Sequence, residues 1–143
     1  MWKYFLKKYT MLYPKKTKYK KIQKGTLSKL NFRSNKLQFG NIGLKAVKSG
    51  TISSRQIEAA RQAISRKLNR NGKLWIKVFP TIPITTKPTE VRMGKGKGAF
   101  SHWSVKIKAG TVLFEVYGVA QNDVITAFKT GGAKLPIKTM ILC

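Results

Sequence analysis

The sequence predicts an α+β fold: a single domain on a mixed, mostly antiparallel sheet with two helices, a basic N-terminal arm in front of it and a long glycine-rich loop within it. Three observations carry that prediction. The chain has 143 residues, 42% of them hydrophobic, which is enough to bury one real core and too few for two. Its apolar residues recur with a helical period in two stretches and with the two-residue period of strands in several others, without the strict strand–helix alternation of a parallel α/β sheet. The first 36 residues differ in kind, holding twelve Lys or Arg and no acid, so they cannot bury a core of their own. The expected division is therefore an extension and arm over 1–36 and a folded domain over 37–143.

Within the arm, Lys15, Lys16, Lys18, Lys20, Lys21 and Lys24 crowd one stretch, with Tyr13 and Tyr19 between them. Ammonium groups interleaved with rings suit a segment that folds along RNA, charge meeting phosphate and tyrosine meeting base. Residues 1–10 lack the apolar run and small-residue cleavage site of a secretory signal. They are basic and acid-free in the manner of an organellar presequence, but contain no arginine.

From Leu37 on, apolar periodicity begins. Residues 39–48, with Phe39, Ile42, Leu44, Ala46 and Val47, read as a strand or bulged pair interrupted by Gly40 and Gly43. A helix is expected over 53–70, opened by Ser53 and Gln56 in a capping-box pattern and closed by Asn71-Gly72. Ile57, Ala60, Ile64 and Leu68 form its core stripe. Its other faces carry Arg55, Arg61, Arg66, Lys67 and Arg70, so four of the chain's six arginines fall on this helix. Such a face serves either as a solvated surface or as a set of phosphate contacts.

Strands follow over 73–79, where Leu74, Ile76 and Val78 alternate with Lys73, Trp75 and Lys77, then over 102–108 and 111–118. Ala109-Gly110 is expected to join the last two as a hairpin. The connection over 80–100 holds Pro80, Pro83, Pro88 and the run Val91 to Gly98, and its length marks it as functional or disordered. A second helix fits 121–130, with Val124, Ile125 and Phe128 inward. Gly131-Gly132 should break it before a last strand opens at Leu135-Pro136-Ile137.

A formal net charge of +26, from 30 Lys or Arg against Glu58, Glu90, Glu115 and Asp123, calls for a polyanionic partner. No run of about 18 apolar residues is present to span a bilayer, and the cations are spread along the chain, which favours nucleic acid over a membrane surface. Lysine outnumbers arginine 24 to 6, a balance suited to neutralising many phosphates rather than reading bases. His102 and Cys143, the only residues of their types, cannot close a tetrahedral zinc site or build a disulfide framework. No cofactor is therefore expected.

Arg92, Met93, Gly94, Lys95, Gly96, Lys97 and Gly98 form the strongest candidate site. A phosphate-binding Walker loop needs Ser or Thr after Gly-Lys, but Gly96-Lys97 is followed by Gly98 and no helix. The dinucleotide fingerprint fails likewise, with Ala99 at its third glycine position and no helix behind it. Four scattered carboxylates, one His and one Cys supply no general base with an orienting partner, so an enzyme acting on a small-molecule substrate is not expected. His102 beside Trp103 reads as a structural or stacking residue. What remains for the loop is contact with an RNA backbone, the glycines letting the main chain press close while Arg92 and Met93 offer a planar cation and an apolar tip.

Several stretches, in order, carry a resemblance: Met11-Leu12-Tyr13-Pro14-Lys15-Lys16-Thr17-Lys18-Tyr19, Gly43-Leu44-Lys45-Ala46, Arg55-Gln56-Ile57-Glu58-Ala59-Ala60-Arg61, Lys73 to Pro80, Lys87-Pro88 with Val91 to Gly98, and Ala133-Lys134-Leu135-Pro136-Ile137-Lys138-Thr139. From residue 11 to 139 the chain resembles the bacterial and organellar large-subunit ribosomal protein L16 family. That resemblance implies an α/β-hammerhead type α+β domain, a structural role in the large ribosomal subunit, and large-subunit rRNA, A-site tRNA and neighbouring ribosomal proteins as partners. It implies rRNA contacts for Lys15, Lys16, Lys18, Lys20, Lys21, Lys24, Lys45, Arg55, Arg61, Arg66 and Arg70. The loop from Arg92 to Gly98 is implied to reach toward the peptidyl transferase centre and A-site tRNA, with Arg92 at a position hydroxylated in some bacteria. Residues 1–10 precede the usual family start, and 26–36 match the family arm poorly. The early start suggests an organelle-encoded or divergent member, and the lysine bias, with the family's presence in gene-rich mitochondrial genomes, makes a mitochondrial ribosome the expected location, with a plastid or bacterial cytoplasm as alternatives.

Overall fold

In a computed structural model the described residues are 12–27 and 30–143; the presequence-like reading of 1–10 and the family start at Met11 lie outside them. Among these residues the chain forms β1 (Ile42–Ala46), β2 (Gly50–Ser53), α1 (Ser54–Lys67), β3 (Lys73–Ile76), β4 (Ile82–Thr86), β5 (Ala99–Ile107), β6 (Val112–Tyr117), α2 (Gln121–Gly132) and β7 (Thr139–Leu142). The α+β class is as expected. The strands divide into a four-stranded sheet of order β3-β6-β1-β7 and a three-stranded sheet of order β2-β5-β4, every pair antiparallel.

α1 starts where the capping box places it. The Ser53 amide donates to Gln56 Oε1 at 2.9 Å and the Gln56 amide to Ser53 Oγ at 3.3 Å, which satisfies two of the amides a helix start leaves unpaired. The helix ends three residues before the expected limit. Asn69 and Arg70 take positive φ, 50° and 62°, and the Arg70 amide closes the turn on the Ser65 carbonyl at 2.9 Å. Ile57, Ala60, Ile64 and Leu68 are all buried and form the core with Leu44, Phe114, Val124 and Phe128.

Ala109-Gly110 does not make the expected hairpin. β5 pairs with β2 and β4, β6 with β1 and β3, so the turn carries the chain from one sheet into the other. Gly110 donates to the Ala46 carbonyl at 2.8 Å, and Ala46 to the Thr111 carbonyl at 2.9 Å. Nor is 80–100 all loop, since β4 lies within it. Pro83 obscures β4 in the sequence, yet β4 is an edge strand, where a missing N–H costs no ladder bond. The last strand begins at Thr139, after Leu135-Pro136-Ile137.

Gly131 and Gly132 do not break α2, which runs through both. A Cβ on Gly131 would lie 2.4 Å from Ile64 Cγ1, so the missing side chain is what lets α2 approach α1.

Residues 31–40, which the expected boundary splits, dock on the larger sheet. The Asn31 amide bonds the Ala109 carbonyl at 2.9 Å, and the Val112 amide bonds the Ser34 carbonyl at 3.0 Å. Phe39 stacks on Trp75 with ring centroids 5.9 Å apart. This strap covers the face of the sheet that points away from the helices, which is why Val112 to Val116 are buried without alternation.

Candidate nucleic-acid interface

Two of the four carboxylates are consumed inside the protein. Glu58 takes a bidentate bond from Arg61, Nη2 to Oε1 at 2.6 Å and Nε to Oε2 at 2.9 Å, and those bonds hold its pKa below the ordinary carboxylate value. Glu115, with no solvent exposure, accepts from the amides of Phe39 at 2.7 Å, Gly40 at 3.0 Å and Gln38 at 3.2 Å, and lies 3.7 Å from Lys77 Nζ. Burial pushes its pKa up, but the three amides and the Lys77 charge outweigh it and hold the pKa low. The remaining acids lie apart, Glu90 at the base of the loop and Asp123 in the first turn of α2. Cations therefore far outnumber unpaired acids on the surface.

The structure sorts the predicted site residues into two groups, the end of α1 and the arm with the loop, and leaves Arg55 and Lys45 apart. Arg61, Arg66 and Arg70, with Gln62, Ser65 and Asn69, line an open groove of about 600 Å³ at the C-terminal end of α1. Arg66 and Arg70 are exposed there, whereas Arg61 is already engaged by Glu58. Arg55 stands in the first turn, roughly 16 Å away at the helical rise of about 1.5 Å per residue. Lys45 joins neither: it alternates with the buried Leu44 and Ala46 on β1 and so points to the face opposite the helices.

The arm and the glycine loop come together, although the bonded residues are 75 and 76 apart in sequence. Lys21 Nζ donates to the Lys97 carbonyl at 3.1 Å, Lys97 Nζ returns a bond to the Ile22 carbonyl, and Lys106 on β5 donates to the Gly25 carbonyl at 3.1 Å. Leu12 packs against the core at the other end of the arm. Between these anchors Lys15, Lys16, Lys18 and Lys20 are exposed as a bight, while Lys24 lines a polar hollow with Thr51, Gln56 and His102.

At the loop tip Met93 is 97% exposed. Gly94 and Gly96 hold φ of 94° and 87°, with nothing within 4 Å of an added Cβ, so conformation and not crowding requires glycine there. Lys87 Nζ bonds the Gly94 carbonyl and braces the loop across its base. Sequence reasoning missed Lys87 and Lys106 as positioning residues, because a lysine that bonds a carbonyl looks in sequence like any other lysine.

This arrangement can neutralise and grip a polyanion over a broad surface, and the carboxylates do not converge on a reactive centre. Residues 14–142 match the family of ribosomal protein L16p/L10e. The chain belongs to that family.

The L16p/L10e match is close in extent as well as in kind. The chain is 55% identical over 129 residues to the large ribosomal subunit protein uL16 of Halorhodospira halophila, spanning 90% of this chain and 94% of that protein. It is 49% identical over 132 residues to the uL16 of Borreliella burgdorferi, spanning 92% and 96%, and 48% identical over 132 residues to that of a Chelativorans species. L16p/L10e proteins are structural ribosomal proteins, so the chain is not an enzyme. The basic arm, α1 and the glycine loop all fall within or border the segment that matches the L16p/L10e family.

Proposed function

We propose that this protein is a structural constituent of the large ribosomal subunit that binds the subunit's rRNA and helps position A-site tRNA. The observation that carries the reading is the clasp of arm and glycine loop, Lys21 to the Lys97 carbonyl and Lys97 to the Ile22 carbonyl, in a chain that matches a ribosomal family from residue 14 to 142. Anchored on rRNA by Lys15, Lys16, Lys18, Lys20, Lys21 and Lys24, the arm fixes where the loop stands. The α1 arginines, Arg55, Arg61, Arg66 and Arg70, and Lys45 on the opposite face supply further rRNA contacts, so RNA meets the domain on more than one side. Arg92 to Gly98 then project toward tRNA. Neighbouring ribosomal proteins complete the set of partners. The lysine bias supports a mitochondrial ribosome, and the bacterial relatives support a bacterial cytoplasm.

Sedimentation of a native lysate tests the core of this reading. One copy per large subunit is expected, and absence from that fraction would mean a repurposed RNA binder outside the ribosome. Arg92 is exposed, with no partner on the domain surface among the described residues, so Arg92→Ala should leave assembly nearly intact and slow A-site tRNA accommodation in a rapid-mixing assay. Normal accommodation with defective assembly would reverse that assignment.

A further inference from the structure

We propose that the hollow between the arm and the start of β5, bounded by Tyr13, Arg55, Phe100, His102 and Trp103, holds one unstacked nucleobase of the bound RNA. This inference deepens the rRNA-binding reading and rests on it. The hollow has a volume of about 170 Å³, below the ~300–1,000 Å³ typical of whole-ligand pockets and suited to a single planar ring.

Its walls are aromatic because of a local irregularity in β5. In a regular strand, residues three apart point to opposite faces. Here the register with β4 shifts between Ile84↔His102 and Thr85↔Phe100, leaving Ser101 as the extra residue of a bulge. A bulge re-aims the side chains beside it, and this one brings Phe100 to Trp103, with centroids 5.1 Å apart and planes at 51°. Phe100 is exposed and Trp103 only half-buried, and both line the hollow, so the pair offers ring surface to a third. Tyr13, half exposed, is delivered to the same place because the preceding Leu12 docks on the core and against α1.

Charge selects the occupant. Glu58, the acid nearest in sequence to Arg55, is taken by Arg61, and Arg55 has no ion pair among the described residues. A guanidinium beside three rings disfavours a purely apolar peptide side chain and favours a base, which stacks on rings, with its phosphate beside the cation. A chain of net charge +26 brings that polyanion to the hollow.

The test uses the full chain with two probes of about 12 nucleotides, within the span single-strand binders cover: a single-stranded oligoadenylate and a blunt RNA duplex. The combined variant Tyr13→Ala, Phe100→Ala should lose about tenfold in affinity for the single strand. It should bind the duplex unchanged, because duplex bases are already stacked on one another. The slope of log affinity against log salt should also be unchanged, since stacking releases no counterions, whereas Arg66→Gln should reduce that slope by ~0.7 to 0.9. Equal losses on both probes, or no loss, would overturn the stacking site and leave rRNA binding standing. Failure of the unaltered chain to bind either probe would overturn both. Tyr13 lies outside every strand and helix, so Tyr13→Ala alone should still show a selective, severalfold loss if Phe100→Ala disturbs the fold.

Discussion

Replacing Glu115 with alanine is expected to cost about 3–5 kcal/mol, the range for breaking a buried charged pair by removing one partner, and chemical denaturation should show it as a large fall in midpoint. Among the described residues the carboxylate is the only acceptor placed for three amides of the strap, those of Gln38, Phe39 and Gly40. Without it three partly buried donors lose their acceptor, and Lys77 loses its counter-charge while its ammonium stays 4.3 Å from the Phe39 ring centroid. Glu115→Gln keeps an oxygen but turns an amide group toward amide donors, so it should cost less than alanine but still about 1–3 kcal/mol.

The same site sets an acid limit. Its folded pKa lies below the ordinary glutamate value of 4.5, so its contribution is fully present above that value and is lost as pH falls through the lower folded value. Stability measured from pH 6 downward (a window about the ordinary glutamate range) should therefore fall less steeply in Glu115→Gln than in the natural protein. Parallel profiles would show that the carboxylate charge plays no part.

Gly131→Ala is the second large effect, and its sign opposes helix propensity. Alanine in a helix interior is worth about 1 kcal/mol over glycine, and on that ground alone the substitution should stabilise α2. The new Cβ would stand 2.4 Å from Ile64 Cγ1 and 2.8 Å from Cδ1, however, and Ile64 is fully buried in the core, where interiors are close-packed. Overpacking of this kind costs about 1–3 kcal/mol, so a net loss is expected in thermal unfolding. The double variant Gly131→Ala, Ile64→Val should recover part of it, because shortening Ile64 removes the Cδ1 side of the clash. A gain in stability from Gly131→Ala alone would mean that α2 frays where the structure shows it packed.

Local patterns foretold what local interactions decide. Ser53 and Gln56 are three residues apart and cap a helix wherever it packs, so the start of α1 was legible to the residue. Its core stripe was legible too, because a 3.6-residue period can present only one continuous face. The strands expected over 73–79 and 111–118 were legible from their strand-like patterning, though the first ends at Ile76 and the second runs Val112–Tyr117. β4 did not, because Pro83 signals against a strand unless its position at a sheet edge is known. The Ala109-Gly110 turn is ambiguous in sequence, because a short glycine turn between two strands looks the same whether the strands pair with each other or with different sheets. Gly131 is ambiguous for a related reason: glycine reads as a breaker until the neighbour it makes room for is in view.

The candidate site divides along the same line. Its cations and the glycine loop were visible as residues, and the order of motifs was enough to point to the ribosomal family. Which cations act together was not visible, because arm and loop meet across 75 and 76 residues through bonds to main-chain carbonyls, which carry no side-chain signature. By itself the sequence determined the charge, the helix cap, the α+β class and the family, all of which depend on residue identity and short spacing. Only the tertiary structure decided the split into two sheets, the clasp of arm and loop, the burial of Glu115 beneath the strap and the turning of Phe100 toward Trp103. Each of these is a long-range choice among partners that local propensity ranks equally, settled by which packing buries apolar surface without leaving a polar group unpaired.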